Sequence, residues 1–138
     1  MTVKEVMPYT FYENKHVKEV SVSHKGNIGD YAFYDCVSLK SVTLGNKITS
    51  LGDDAFSGCT SLQEIVIPDS VKSVGTYCFY GCTAMKSAVI GNGVTAINNY
   101  AFRGCSSLSS FTIPQSVTTV GDYAVSYTHL TLPTMAVV

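Results

Sequence analysis

Apolar and polar residues along this chain fall into a block that returns every 23 positions. One block reads Leu62-x-x-Ile65-x-Ile67, breaks at Pro68-Asp69-Ser70, resumes as Val71-x-x-Val74-Gly75, and closes with Cys78-Phe79-x-Gly81-Cys82 before restarting at Met85. The pairs Val42/Leu44, Ile65/Ile67, Ala88/Ile90 and Phe111/Ile113 have the period of two expected of a strand with one buried face. Pro68 and Pro114, or Gly45 and Gly91, end these strands, and Asp69, Ser70, Asn46, Asn92 and Gly93 supply turn chemistry. A second apolar pair follows each turn: Ile48/Leu51, Val71/Val74, Val94/Ile97 and Val117/Val120. Gly52, Gly75 and Gly121, with Asn98 in the equivalent place, then let the chain bend. The segment Asp53-Asp54-Ala55-Phe56-Ser57-Gly58-Cys59 has room for one helical or 3₁₀ turn and no more.

The same period orders single residue types. Phe33, Phe56, Phe79 and Phe102 are each 23 residues apart, as are Cys36, Cys59, Cys82 and Cys105, and Leu39, Leu62, Met85 and Leu108. An L-x-x-L-x-L core at a period of 20–29 residues marks a leucine-rich-repeat solenoid. The expected coil is a short parallel β-strand, a turn, a short extended arm and one helical or 3₁₀ turn. A weaker copy, Val17-x-x-Val20-x-Val22, joins its successor one residue short: Val22 to Phe33 is 11 residues, whereas Leu44 to Phe56 is 12. A partial first copy begins near Val6 and puts Tyr9, Phe11 and Asn14 in the places of Tyr31, Phe33 and Cys36. One coil cannot bury its own apolar face, so the coils must stack, about 4.8 Å apart, with like positions forming ladders.

The recurring phrase I-P-x-S-V-T-x-V-G-x-Y-A-F-x-G-C-x-S-L stands nearly intact as Ile67 to Met85, and again as Ile90 to Leu108. It resembles the signature of the BspA-type leucine-rich-repeat family, over roughly Val6 to Ala124. The resemblance implies a right-handed solenoid, usually part of a large bacterial surface protein, and hence an extracellular or cell-surface location in a full-length parent. It also implies a part in adhesion and in binding host or matrix proteins. It brings no catalytic residues to transfer.

A fifth phenylalanine is due at position 125, where the sequence has Val125-Ser126-Tyr127-Thr128-His129-Leu130-Thr131-Leu132-Pro133-Thr134. That stretch resembles the translation of a transposase-based sequencing adapter. The expectation is therefore a solenoid over 1–124, about five repeats with the first partial, and a non-native tail over 125–138. The chain is expected to be a fragment of a longer protein.

Composition narrows the function classes. The chain of 138 residues is 46% apolar and only 14% charged, with a net charge of −1. It has no basic stripe, so nucleic acid is not an expected partner. No apolar run approaches the roughly 18 residues of a spanning helix, so membrane insertion is not expected either. Four of the five cysteines are one ladder position. A ladder of about 4.8 Å steps does not gather four thiolates around one zinc ion, and parallel Cβ atoms at that spacing exceed the separation disulfides prefer. The ladder reads as buried small hydrophobes, and Cys78 occupies the slot held by Ala32, Ala55 and Ala101. His16, His24 and His129 share no ligand spacing. No G-x-S-x-G, P-loop or H-E-x-x-H pattern occurs. The adjacent acids Asp53-Asp54 stand in one repeat only. No catalytic, metal or cofactor-binding residue is expected.

Two surfaces remain as candidates. The outward strand positions Ser41/Thr43, Glu64/Val66, Ser87/Val89 and Ser110/Thr112 form a weakly charged, small-residued sheet face, either a flat recognition surface or a merely solvated one. Tyr31, Tyr77, Tyr100 and Tyr123 form an aromatic ladder that Asp54 interrupts, with Tyr34 and Tyr80 three residues further on. These rings either serve recognition or cover the turn edge of the core. The leading expectation is a non-catalytic module that binds a protein or a glycan. The alternatives are a spacer that displays another domain, and the accessory repeats of an enzyme whose catalytic domain lies elsewhere.

Overall fold

The computed structural model describes Thr2, Val3 and residues 6–125. Successive coils stack as the period demands, and each contributes to three walls around one core. The first wall is built from β1 (Thr2–Val3), β2 (Glu19–Val22), β4 (Ser41–Leu44), β6 (Glu64–Ile67), β8 (Ser87–Ile90) and β10 (Ser110–Thr112). These form two three-stranded parallel sheets, β1-β2-β4 and β6-β8-β10. Ile65 pairs with Ala88 and Ala88 with Phe111, one repeat apart each time. Val42, Leu44, Ile65, Ile67, Ala88 and Ile90 point inward and are buried, as the alternation predicts. β4 and β6 lie side by side without ladder pairing among the described residues.

The second wall is more continuous than the first. The expected extended arm is itself a five-stranded parallel sheet, made of β3 (Gly26–Ile28), β5 (Ile48–Leu51), β7 (Ser73–Val74), β9 (Ala96–Ile97) and β11 (Thr119–Val120). The missing residue of the weaker copy is absorbed here. Gly26 pairs with Ile48 and Asn27 with Ser50, a register shift of one residue at a glycine with φ of 126°. A side chain is disfavoured in that conformation, and glycine enters it without steric penalty. In the outermost described coil Val117 is half-buried and Val120 exposed.

The third wall consists of turns. Ala55 N–H donates to the Gly52 carbonyl at 3.3 Å, and Cys59 N–H to the Phe56 carbonyl at 3.2 Å. These are the i→i+3 bonds of the expected 3₁₀ turn. Asp54 (φ 55°) and Gly58 (φ 77°), however, sit at the third position of each turn in left-handed backbone. The segment is therefore two successive type II turns separated by a third, and it does not wind into a helix. Coil-to-coil bonds run up this wall as well. Phe33 N–H donates to the Ala55 carbonyl, Phe56 to Cys78, Phe79 to Ala101 and Phe102 to Ala124, all at 2.7 Å. Val125 continues the register by one place as a parallel bridge partner of Phe102 and packs on the core. The expectation for the rest of the tail, 126–138, falls outside the described residues.

Two ladders fill the interior. Phe11, Phe33, Phe56, Phe79 and Phe102 stack nearly parallel with centroids 5.2, 5.0, 5.2 and 5.0 Å apart, and Phe111 meets Phe102 edge-on at 5.0 Å. Beside them the buried thiols of Cys59, Cys82 and Cys105 donate to the carbonyls of Phe33, Phe56 and Phe79 at 3.1, 3.2 and 3.2 Å. Cys36 does the same to Phe11 at 3.0 Å. The thiol thus packs as a small hydrophobe and also gives the turn carbonyl a second, weak partner. Burial pushes the Cys36 thiol up to about 11 and that of Cys105 to about 12, and raises those of Cys59, Cys78 and Cys82 as well.

Candidate functional site

Both predicted surfaces are where the repeat places them. On the first wall Ser41, Thr43, Glu64, Val66, Val89, Ser110 and Thr112 are exposed and Ser87 is half-buried. Val66 and Val89 are more than half exposed, at 55% and 54%, and pair with each other across β6 and β8. Val89, Ser110 and Thr112 also line a cleft of about 300 Å³ with Pro114 at the β8–β10 end. The face presents little charge and no converging polar groups, so its capacity is for contact area rather than chemistry.

The tyrosine edge is more structured. Tyr9, Tyr31, Tyr77, Tyr100 and Tyr123 all occupy the left-handed turn position, with φ between 54° and 63°. A bulky residue there is unusual, and the conformation costs roughly 1–2 kcal/mol for a residue with a Cβ. The rings stack along the solenoid axis: Tyr9 on Tyr31 at 5.1 Å, Tyr77 on Tyr100 at 4.7 Å, and Tyr100 on Tyr123 at 5.5 Å, all within 16° of parallel. A second column stands three residues further along each coil. Tyr12 stacks on Tyr34 at 5.1 Å, and Tyr80 meets Tyr77 edge-on at 5.2 Å. Arg103 ends that column with its guanidinium 5.5 Å from the Tyr100 ring centre and 4.8 Å from that of Tyr123.

Both columns are broken in one coil, where Asp54 and Ser57 stand in the places of tyrosines. The break is a cleft of about 340 Å³ with Tyr34 and Asp35 on one side, Tyr77 and Tyr80 on the other, and Asp54 and Ser57 within it. Side-chain hydrogen bonds from Tyr31 and Ser57 hold the Asp54 carboxyl. Desolvation nonetheless raises its pKa above the usual carboxylate value, and the neighbouring acids Asp53 and Asp30 add to the shift. The negative charge of Asp54 in turn raises the Tyr31 hydroxyl, and Asp35 raises that of Tyr34.

Residues 26–136 match six copies of the BspA type leucine rich repeat region. The chain belongs to the BspA-type leucine-rich-repeat family. The match to the family runs past Ala124, through the whole of the stretch 125–134 whose sequence resembles an adapter. A leucine-rich repeat protein from Eubacterium ventriosum is similar in structure, with a TM-score of 0.79 and 24% identity over 88% of this chain and 33% of that one. A leucine rich repeat protein of T. pallidum aligns with a TM-score of 0.63 and 26% identity, over 86% of this chain and 67% of that one. A leucine rich cell surface protein of Faecalibacterium prausnitzii aligns with a TM-score of 0.61 and 26% identity, over 86% and 39% of the two chains. None of the curated proteins matches. The chain thus spans about a third of the Eubacterium protein. No helix among the described residues is long and apolar enough to cross a membrane.

Within this BspA-type solenoid, sequence reasoning located the tyrosine ladder and its interruption but missed three features. It did not see that Ser57 breaks the second column as Asp54 breaks the first, that Arg103 stacks on the edge, or that the break is a cleft. The spacing held the signal: positions 34, 57, 80 and 103 carry Tyr, Ser, Tyr and Arg. It also missed a ladder at positions 30, 53, 76, 99 and 122. There the Asp30 carboxylate accepts the Asp53 N–H at 2.8 Å, Asp53 accepts that of Thr76 at 2.9 Å, and Asn99 that of Asp122 at 2.7 Å. These acids and amides stitch one coil to the next, a sufficient reason for their recurrence.

Proposed function

We propose that this chain is a non-catalytic recognition module of a bacterial cell-surface protein, and that it binds a protein, or failing that a glycan, through its tyrosine edge. The observation that carries this is the recurrence of tyrosine in left-handed backbone. Stacking of an aromatic pair contributes about 0.5–1.5 kcal/mol, and the conformation costs about as much. The ladder therefore adds little net stability, while it holds a row of amphipathic surface, ordered in advance, at the solvent edge. Tyrosine surface of this kind loses little entropy on contact, which is why recognition surfaces use it. Leucine-rich-repeat proteins commonly bind proteins, and the Faecalibacterium neighbour is described as a cell surface protein, which supports the location. The outward sheet face, from Ser41 and Thr43 to Ser110 and Thr112, is the second contact surface of the module.

A binding array of host-surface and matrix proteins and glycans, probed with the 138-residue chain, tests the proposal. A ligand whose binding is lost in the Tyr77→Ala, Tyr100→Ala double variant is the expected result. A ligand indifferent to those changes and sensitive to Val66→Lys would move the site to the sheet face. Absence of any ligand would favour the spacer, which the flat, weakly charged sheet face also suits.

A further inference from the structure

We propose that the break in the tyrosine columns is a socket for an arginine side chain of a protein partner. The inference rests on the recognition-module reading above and names the chemistry of what that module takes. Adjacent tyrosines in the first column are 4.7–5.5 Å apart. Tyr31 and Tyr77 are two coils apart, roughly 10 Å at the usual strand spacing. The place between them lacks its ring, and the cleft that results has Tyr34 on one side and Tyr77 and Tyr80 on the other, room for a planar group among aromatic rings. Asp54 supplies a carboxylate in that place, and the cleft around it is open to solvent between Tyr34 and Tyr80. The charged groups acting on Asp54, Asp53 and Asp30, are themselves acids, and Asp35 lines the cleft too. The site therefore offers negative charge between aromatic faces, the complement of a flat cation.

A guanidinium meets both demands: it is planar, it stacks on rings, and it hydrogen-bonds a carboxylate in a fork. An ammonium is a point charge and leaves the slot half filled. A neutral sugar would gain from the rings but nothing from the charge. The chain itself shows that this edge accepts the group, because Arg103 lies over Tyr100 and Tyr123 two coils above Ser57.

The test is an NMR titration of the 138-residue chain with N-acetyl-arginine-N-methylamide, its citrulline and lysine counterparts, and a neutral disaccharide. Saturable shifts confined to Tyr34, Tyr77, Tyr80 and their cleft neighbours are expected for the arginine compound, in the roughly millimolar range of a single stacked cation. Citrulline, and the Asp54→Asn variant, should each weaken binding roughly fivefold or more. Binding should also weaken as the pH falls through the titration of Asp54, the group that Tyr31, Ser57, Asp53 and Asp30 surround. Asp54→Tyr refills the slot at a backbone conformation that tyrosine already adopts in the neighbouring coils, and should abolish the shifts while leaving the melting temperature unchanged or higher. Equal binding of citrulline, persistence of the shifts in both Asp54 variants, or a disaccharide that binds the cleft where arginine does not would each overturn the socket. A macromolecular ligand found on the array and retained by Asp54→Tyr would sink the socket and leave the module standing. Arginine binding with no macromolecular ligand would do the reverse.

Discussion

The phenylalanine ladder inside the solenoid and the tyrosine ladder on its edge are products of the same repeat, two residues apart in every coil. The inner ladder has a ring at every step from Phe11 to Phe102. The outer one has a gap at Asp54, and its second column has a serine at 57 and an arginine at 103. Inside, a missing ring leaves a cavity that the coils above and below cannot close. Outside, water fills the place of a missing ring at little cost. Packing therefore fixes the first ladder, while the second is free to vary and can carry an individual coil's chemistry. In a repeat protein the position to inspect for function is the exposed one where the period lapses.

Substitutions on the two ladders should separate them cleanly. The largest effect is expected from Phe79→Ala, a fully buried ring stacked on both sides, which should lower stability by about 3–5 kcal/mol in urea unfolding. A loss under 1 kcal/mol would mean that the core is not packed as described. The thiols beside it give an alkaline signature. Their folded-state pKa values lie above the unfolded value of 9.0, so above pH 9 the unfolded chain releases protons that the folded chain keeps. Stability is fully present below pH 9 and is lost as the pH rises through the folded values, by roughly 1 kcal/mol per thiol per pH unit. Cys59→Ala should remove one thiol's share of that slope, which urea midpoints at pH 8 and pH 10 would read.

Effects on the outer ladder should be smaller. Tyr100→Ala removes stacking with Tyr77 and Tyr123 and should cost about 1 kcal/mol. A cost equal to that of Phe79→Ala would show that the edge is part of the core and would remove the basis for a recognition role. Closing the gap with Asp54→Tyr should change stability least, by a net gain of about 0.5 kcal/mol, because new stacks on Tyr31 and Tyr77 and the loss of a desolvated carboxylate are offset by the lost hydrogen bonds from Tyr31 and Ser57. The melting temperature should rise slightly. A marked fall would show that Asp54 is structural, held by Tyr31 and Ser57 for the turn itself.

Much of this is legible in the sequence. The strand positions, the inward set and the buried cysteine ladder follow from the period. So does the one-residue shortfall after Val22, because residue type and burial repeat together. The coil's second strand was legible only as an arm: two apolar residues such as Val71 and Val74 are too few to announce a sheet, and it is the stacking of five such pairs that makes one. The turn reads as helical or 3₁₀ because Asp54-Ala55-Phe56 carries no sign of a left-handed backbone; a glycine at 54 would show it, whereas aspartate and tyrosine do not.

By itself, then, the sequence determined the solenoid, its pitch in residues and which side chains face inward, since burial of a repeated apolar set has one economical solution. The tertiary structure alone decided that the lapses at Asp54 and Ser57 open into one cleft between Tyr34 and Tyr80. That arrangement depends on the distance between coils and on the left-handed turn that aims the rings outward, quantities set by coil-to-coil hydrogen bonds and not by the order of residues along one coil.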